Sequence, residues 1–133
     1  MAIGEPRAFV EMPAGQFAET VEKVCVDLVE AGIDCVEHAT GLTAATIPLF
    51  AERGGAIVPT LVNIATFEGI AAGAEEKFPA YARHMRALHA RRYETVAAAA
   101  EAGIPIYVGT DAGGSLPHGL VAAEVAELGV ALA

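Results

Sequence analysis

The sequence predicts an α/β protein built on a parallel sheet, and three observations carry that reading. Short apolar runs alternate with longer stretches of helical period along most of the chain. No two alternating runs flank a tight turn, so no hairpin is expected, and strand–helix alternation of this kind implies a parallel sheet with right-handed crossovers. The composition is rich in Ala and Gly and has no Trp, which suits helices lying close against a sheet. At 133 residues a single domain, residues 1–133, with its own core is expected.

Arg7 to Met12 reads as a first strand, ended by Pro13 and Gly15. From Gln16 to Ala31 the period becomes helical. Phe17, Val21, Val24, Cys25 and Leu28 share one face, and Glu19, Glu22, Lys23, Asp27 and Glu30 fall mostly on the other. Gly32 is the stop signal. Ile33 to His38 is a second strand, leading into the turn Ala39-Thr40-Gly41. A short helix follows over Ile47 to Arg53. A start at Thr46 keeps Pro48 in the first turn, where it is tolerated, whereas a start at Thr43 would cost about 3 kcal/mol. Ala56 to Leu61 is a third strand, and Pro59, which has no N–H to donate, ends it nearby. A short helix near Thr66 to Ala72 and an acidic turn at Glu75 and Glu76 occupy the next connection. Pro79 opens the longest helix, to about Ala102, stopped by Gly103. Ile104 to Val108 is a buried strand, and Val121 to Leu132 a final helix.

The formal net charge of −9 argues against nucleic acid as a partner, since phosphates demand Lys and Arg. No apolar run approaches the ~18 residues of a transmembrane helix, and the first residues lack the basic-then-apolar pattern of a secretion signal. A cytoplasmic location without membrane partners is expected. Cys25 and Cys35 each lie in apolar segments and read as small buried hydrophobes of a reducing compartment.

The stretch with most chemical content is Ile104 to Gly114, I-P-I-Y-V-G-T-D-A-G-G. It sets one acid, Asp111, in a turn of small residues just past an apolar strand, where parallel α/β proteins place their chemistry. A turn-capping role accounts for the same spacing. Parallel strands end on one side, so His38, Thr60 and Asp111 are expected to face one region. Imidazole nitrogen and carboxylate oxygen both suit zinc and similar divalent ions.

Gly32 to Leu42 (GIDCVEHATGL), Ala51 to Leu61 (AERGGAIVPTL) and Ala102 to Gly119 (AGIPIYVGTDAGGSLPHG), taken in that order, resemble the second half of the metal-dependent amidohydrolase superfamily. The imidazolonepropionase-like and prolidase-like hydrolases are the nearest in pattern. The resemblance implies a parallel (β/α) half-barrel, about four βα units of a TIM-barrel-like hydrolase. It implies that His38 approaches or binds a divalent metal, with zinc expected. Asp111 would be both metal ligand and catalytic group, taking a proton from the activated water and returning it to the leaving group. A small amide or peptide-like substrate is implied.

Much of the family pattern is missing. The chain has no H-x-H pair and no counterpart of the bridging Lys or Glu, and its first strand reads F-V-E-M-P-A-G without a His. Glu11 is an oxygen ligand candidate there, although a solvated Glu explains it as well. A catalytic zinc site needs three protein ligands plus water. With two candidates, the isolated chain is expected to hold metal poorly and to turn over slowly or not at all. It is expected either to self-associate or to need an amino-terminal half.

His118, Thr60 and Asn63 are candidates for contacting substrate, each with an ordinary loop role as the alternative. Arg83, His84, Arg86, His89, Arg91 and Arg92 form the one basic cluster, for which a solvated helix face is the simpler reading. Two other functions fit the pattern less fully. One is a non-catalytic, self-associating remnant domain. The other is a phosphate-binding barrel fragment using Gly109, Gly113 and Gly114.

Overall fold

The computed structural model describes residues 23–133. The expected first strand, the start of the first helix and Glu11 lie outside the described residues. In the described part the protein is a helix-rich α/β structure around a small parallel sheet. A helix, α1, covers residues 23–30. The order then runs β1 (Cys35–Glu37), α2 (Thr46–Glu52), β2 (Ala56–Val58), α3 (Leu61–Ile64), α4 (Phe67–Ala74), α5 (Pro79–Ala90), α6 (Arg92–Glu101) and α7 (Val121–Ala131).

β1 and β2 pair in parallel with Val36 opposite Ile57. The ladder is extended at both ends, by Ala56 N–H to the Asp34 carbonyl (2.9 Å) and by His38 N–H to the Val58 carbonyl (2.8 Å). The run at Ile104 to Val108 joins this sheet through a single parallel bridge, Ile106 with Ile57. There Ile57 N–H donates to the Pro105 carbonyl and Tyr107 N–H to the Ile57 carbonyl, both at 2.9 Å. The run was expected to be a buried strand. Ile104 is buried, but Tyr107 is 59% exposed and Val108 lies open beside it, because no described strand covers their outer edge.

The main core gathers Val29, Val36, Leu42, Ile47, Phe50, Ile57, Ala99 and Ile104 between the sheet and its helices. A second cluster joins Leu61, Val96, Leu128 and Ala131, and a third lies between α4 and α5 around Ala71, Ala82, Met85 and Leu88. Cys25 is buried as expected, whereas Cys35 is only partly covered. Two glycines are dictated by packing. A Cβ on Gly109 would sit 2.4 Å from Val58 Cγ1, and one on Gly55 would enter the Phe50 ring.

Three elements differ from the sequence expectation. The long helix breaks at Arg91, whose backbone (φ −93, ψ 3) separates α5 from α6 while its guanidinium donates to the Thr40 carbonyl. The third strand stops at Val58, and Leu61 opens a helix instead. The connection expected to hold one helix holds two, α3 and α4.

The basic cluster is largely committed to internal contacts. Arg86 pairs with Glu68 on α4 (3.1 Å) and with Glu75 beyond it (2.8 Å). Arg92 donates to the His89 carbonyl and lies over the Tyr93 ring. The Arg86 guanidinium, through its hydrogen bonds and then its charge, holds the Glu75 carboxyl below its ordinary value near 4.5. A depressed carboxylate stabilises the fold above its unfolded value, and that contribution is lost as pH falls through the folded value. Arg86→Ala should therefore flatten the pH dependence of stability below about pH 4.5. High salt should mimic the substitution, because the pair is exposed. Thermal melts between pH 3 and 6 at two salt concentrations, in the manner of a linkage experiment, measure both effects.

Candidate functional site

Four non-glycine residues of the described chain have positive φ: His38 (62°), Ala39 (57°), Thr60 (49°) and Asp111 (54°). All four follow β1, β2 or the Ile106 segment. Left-handed backbone costs on the order of 1–2 kcal/mol for a residue with a Cβ, and a β-branched Thr is an outlier there. Conformations of this kind persist where surrounding structure imposes them, and they cluster at functional sites.

Each of the three polar residues is turned by an identifiable contact. His38 ends the β1 ladder and centres a three-residue turn closed by Ala39 N–H to the Glu37 carbonyl (2.6 Å). Thr60 precedes α3, and its carbonyl accepts from Asn63 (2.8 Å) and Ile64 (3.1 Å). Asp111 follows Gly109, which passes close over Val58.

The turns bring distant residues together. His38 Nε2 lies 3.9 Å from Asp111 Oδ2, with the two side chains 42% and 56% exposed. His38 Nδ1 is 2.6 Å from Thr60 Oγ1, and Asn63 Nδ2 donates to Asp111 Oδ2 at 2.5 Å. Thr60 is 2% exposed, so its hydroxyl meets His38 rather than solvent. The imidazole and the carboxylate are thus each held by a neighbour from the α3 region. His118 is on the loop that follows Asp111, with its ring against Gly113. An open groove of about 270 Å3, lined by Val24, Leu28, Val36, Glu37 and Thr40, reaches His38 from the α1 side.

An imidazole nitrogen and a carboxylate oxygen are atoms that zinc binds, and at 3.9 Å His38 Nε2 and Asp111 Oδ2 stand somewhat wider than the roughly 3.4 Å between neighbouring donors of a tetrahedral ion. A catalytic zinc site uses three protein ligands, one more than this pair offers. Among the described residues no three His, Cys, Asp or Glu side chains converge on one point. The phosphate alternative finds little here. Gly113 N–H is taken up by the Leu116 carbonyl (3.0 Å), and the next helix begins only at Val121.

Glu124 escaped the sequence reading. It is fully buried on α7 and accepts two backbone hydrogen bonds, from Leu61 N–H and Val62 N–H, each at 2.8 Å. A signal for it exists: Glu124 falls on the same helical stripe as Leu128 and Ala131, which are buried with it. A carboxylate on an apolar stripe requires a partner.

No family model matches the chain. It is similar to uncharacterized proteins of Mycobacterium tuberculosis and Mycobacterium bovis, 58% identical to each over 101 residues. The match takes in 76% of this chain and 27% of the relative, so the chain spans about a quarter of their length. Among solved structures it is similar to a Xaa-Pro dipeptidase with methionine bound in its active site. That likeness has a TM-score of 0.64 and 25% identity, over 83% of this chain and 27% of that one. Among the described residues no helix is long and apolar enough to cross a membrane.

Proposed function

We propose that this chain is a segment of a metal-dependent hydrolase of the amidohydrolase type, acting on the C–N bond of a small amide, cyclic amide or peptide-like substrate. The observation that carries the reading is the meeting of His38 Nε2 and Asp111 Oδ2 at 3.9 Å, both on left-handed backbone. The likeness to a Xaa-Pro dipeptidase supports the hydrolase class, and with it the finer expectation of a half-barrel of βα units.

His38 would hold a divalent ion, zinc being the expected one, through Nε2. That role requires the proton on Nδ1, which then donates to Thr60 Oγ1. Asp111 would hold the same ion through one oxygen. When bound, the ion supplies a water acidic enough to lose a proton near neutral pH. The Asp111 carboxylate would serve as general base towards the attacking water and then as general acid towards the departing nitrogen. Asn63 fixes the carboxylate while this happens. Thr60 would act through His38, and His118 would meet substrate from the loop after Asp111.

The remaining ligands would come from chain beyond the described residues or from another subunit. A specific observation favours such a cover. Tyr107 and Val108 on the sheet edge, and Val121, Val125 and Val130 on α7, are exposed apolar side chains, and an uncovered edge of this kind favours association. The same edge supports the second reading, a non-catalytic self-associating domain.

The test grafts this segment in place of the matching 101 residues of the mycobacterial relative and assays amide and dipeptide hydrolysis. Chelator-sensitive turnover is expected, with His38→Ala lowering both metal content and rate. Metal-independent turnover, or a His38→Ala protein with full metal and rate, would refute the proposal. A metal-free oligomer without hydrolysis would favour the second reading.

A further inference from the structure

We propose that Glu124 is the positioning residue of this site, holding α3 so that one short element grips both His38 and Asp111. The inference rests on the proposed function for its purpose and on geometry for its substance. The first N–H groups of a helix have no partner within it. A Thr in the capping position normally satisfies one of them with its own hydroxyl. Thr60 holds that position and makes no such bond; its hydroxyl meets His38 Nδ1 instead. Glu124 takes over the capping from another helix, covering Leu61 N–H with one oxygen and Val62 N–H with the other.

This exchange has two consequences for the site. It frees Thr60 Oγ1 to fix the imidazole, and it holds Thr60 on left-handed backbone (φ 49°), the conformation from which the hydroxyl reaches His38. It also fixes the start of the four-residue helix that carries Asn63, the donor to Asp111. A fully buried carboxylate is a costly way to close a helix this short, and the cost is understandable if the helix must not shift. Glu124 touches neither reacting group, so it acts through Thr60 and Asn63.

The test uses the whole 133-residue chain, labelled with nitrogen-15, without metal. In the wild type the Leu61 and Val62 amides should exchange slowly with solvent, and His38 should show a single ring tautomer. Glu124→Gln keeps the size but has one acceptor for two donors. It should lower protection at Leu61 and Val62 by about 10- to 100-fold, the worth of one hydrogen bond to a charged group. It should also move the His38 ring nitrogen shifts towards those of a free imidazole. Met85→Ala, in the separate cluster between α4 and α5, should destabilise the chain and leave the His38 signals alone. A folded Glu124→Gln protein with unchanged His38 shifts overturns the proposal. Should that variant not fold, the wild type decides. Slow Leu61 and Val62 amides with one His38 tautomer support the assignment, and fast amides overturn it. None of these readouts depends on metal or turnover, so a graft without hydrolysis would sink the proposed reaction while leaving the role of Glu124 standing.

Discussion

Replacing Gly55 with alanine should destabilise the fold by about 2–3 kcal/mol, at the upper end for overpacked cores, and lower Tm by roughly 5–10 °C. The added Cβ would lie 2.2 Å from Phe50 Cε2, 2.3 Å from Cζ and 2.6 Å from Cδ2, far inside any van der Waals contact. Phe50 has no room to retreat. It is fully buried and shares its cluster with Val29, Val36, Ile47, Ile57 and Ile104. The alternative is for the backbone at Gly55 to move, but the next residue begins β2, where Ala56 N–H bonds to the Asp34 carbonyl. Phe50→Ala alone should cost about 3–5 kcal/mol. In that background the ring is gone, and Gly55→Ala should cost little further. Urea melts of the two single variants and the double variant complete the cycle. A coupling of about 1–3 kcal/mol is expected for residues in contact. Strictly additive costs would show that Phe50 does not lie over Gly55.

The same contact shows where sequence reasoning succeeds and where it stops. The βα rhythm located β1, α2, β2 and α7 to within a few residues, because apolar period and the stops at Gly32, Gly54 and Gly103 are local signals. It did not show that Gly55 must lack a Cβ, since that depends on where the Phe50 ring turns. It extended one helix through Arg91 because the apolar period continues there. The break belongs to an Arg91 contact with Thr40, far away in the chain. It made Leu61 a strand end because Leu61 is apolar, and it is Glu124 on α7 that caps a helix at that point.

The site divides along the same line. That His38 and Asp111 would share a region follows from parallel strands ending on one side, and they lie 3.9 Å apart at their nearest nitrogen and oxygen. Thr60 and Asn63 stood out as residues of the same rim, but their partners did not. Which hydroxyl turns to which ring nitrogen is a matter of ångströms, set by four left-handed residues whose φ values are invisible in composition or period. Glu11, the further oxygen ligand that the sequence offers for the proposed ion, precedes the described residues.

Asp111→Asn should separate chemistry from stability more cleanly than any other substitution. In the grafted enzyme it should lower turnover by about 10²- to 10⁴-fold, the usual worth of a placed proton acceptor. The fold should be unaffected or slightly stabilised. Asp111 is on left-handed backbone at φ 54°, a region in which Asn is among the most readily accommodated side chains. It is also more than half exposed, so the exchange leaves no buried charge unpaired. The amide oxygen can still accept from Asn63 Nδ2, as Asp111 Oδ2 does now. What the amide cannot do is take a proton from water. A residue that served only to cap the turn would show the opposite pattern, since Asn caps such turns as well as Asp, and turnover would survive. Paired measurement of Tm and turnover for Asp111→Asn therefore tells a proton carrier from a turn former. Retained activity at unchanged Tm would return Asp111 to the turn-capping role that its sequence context equally allows.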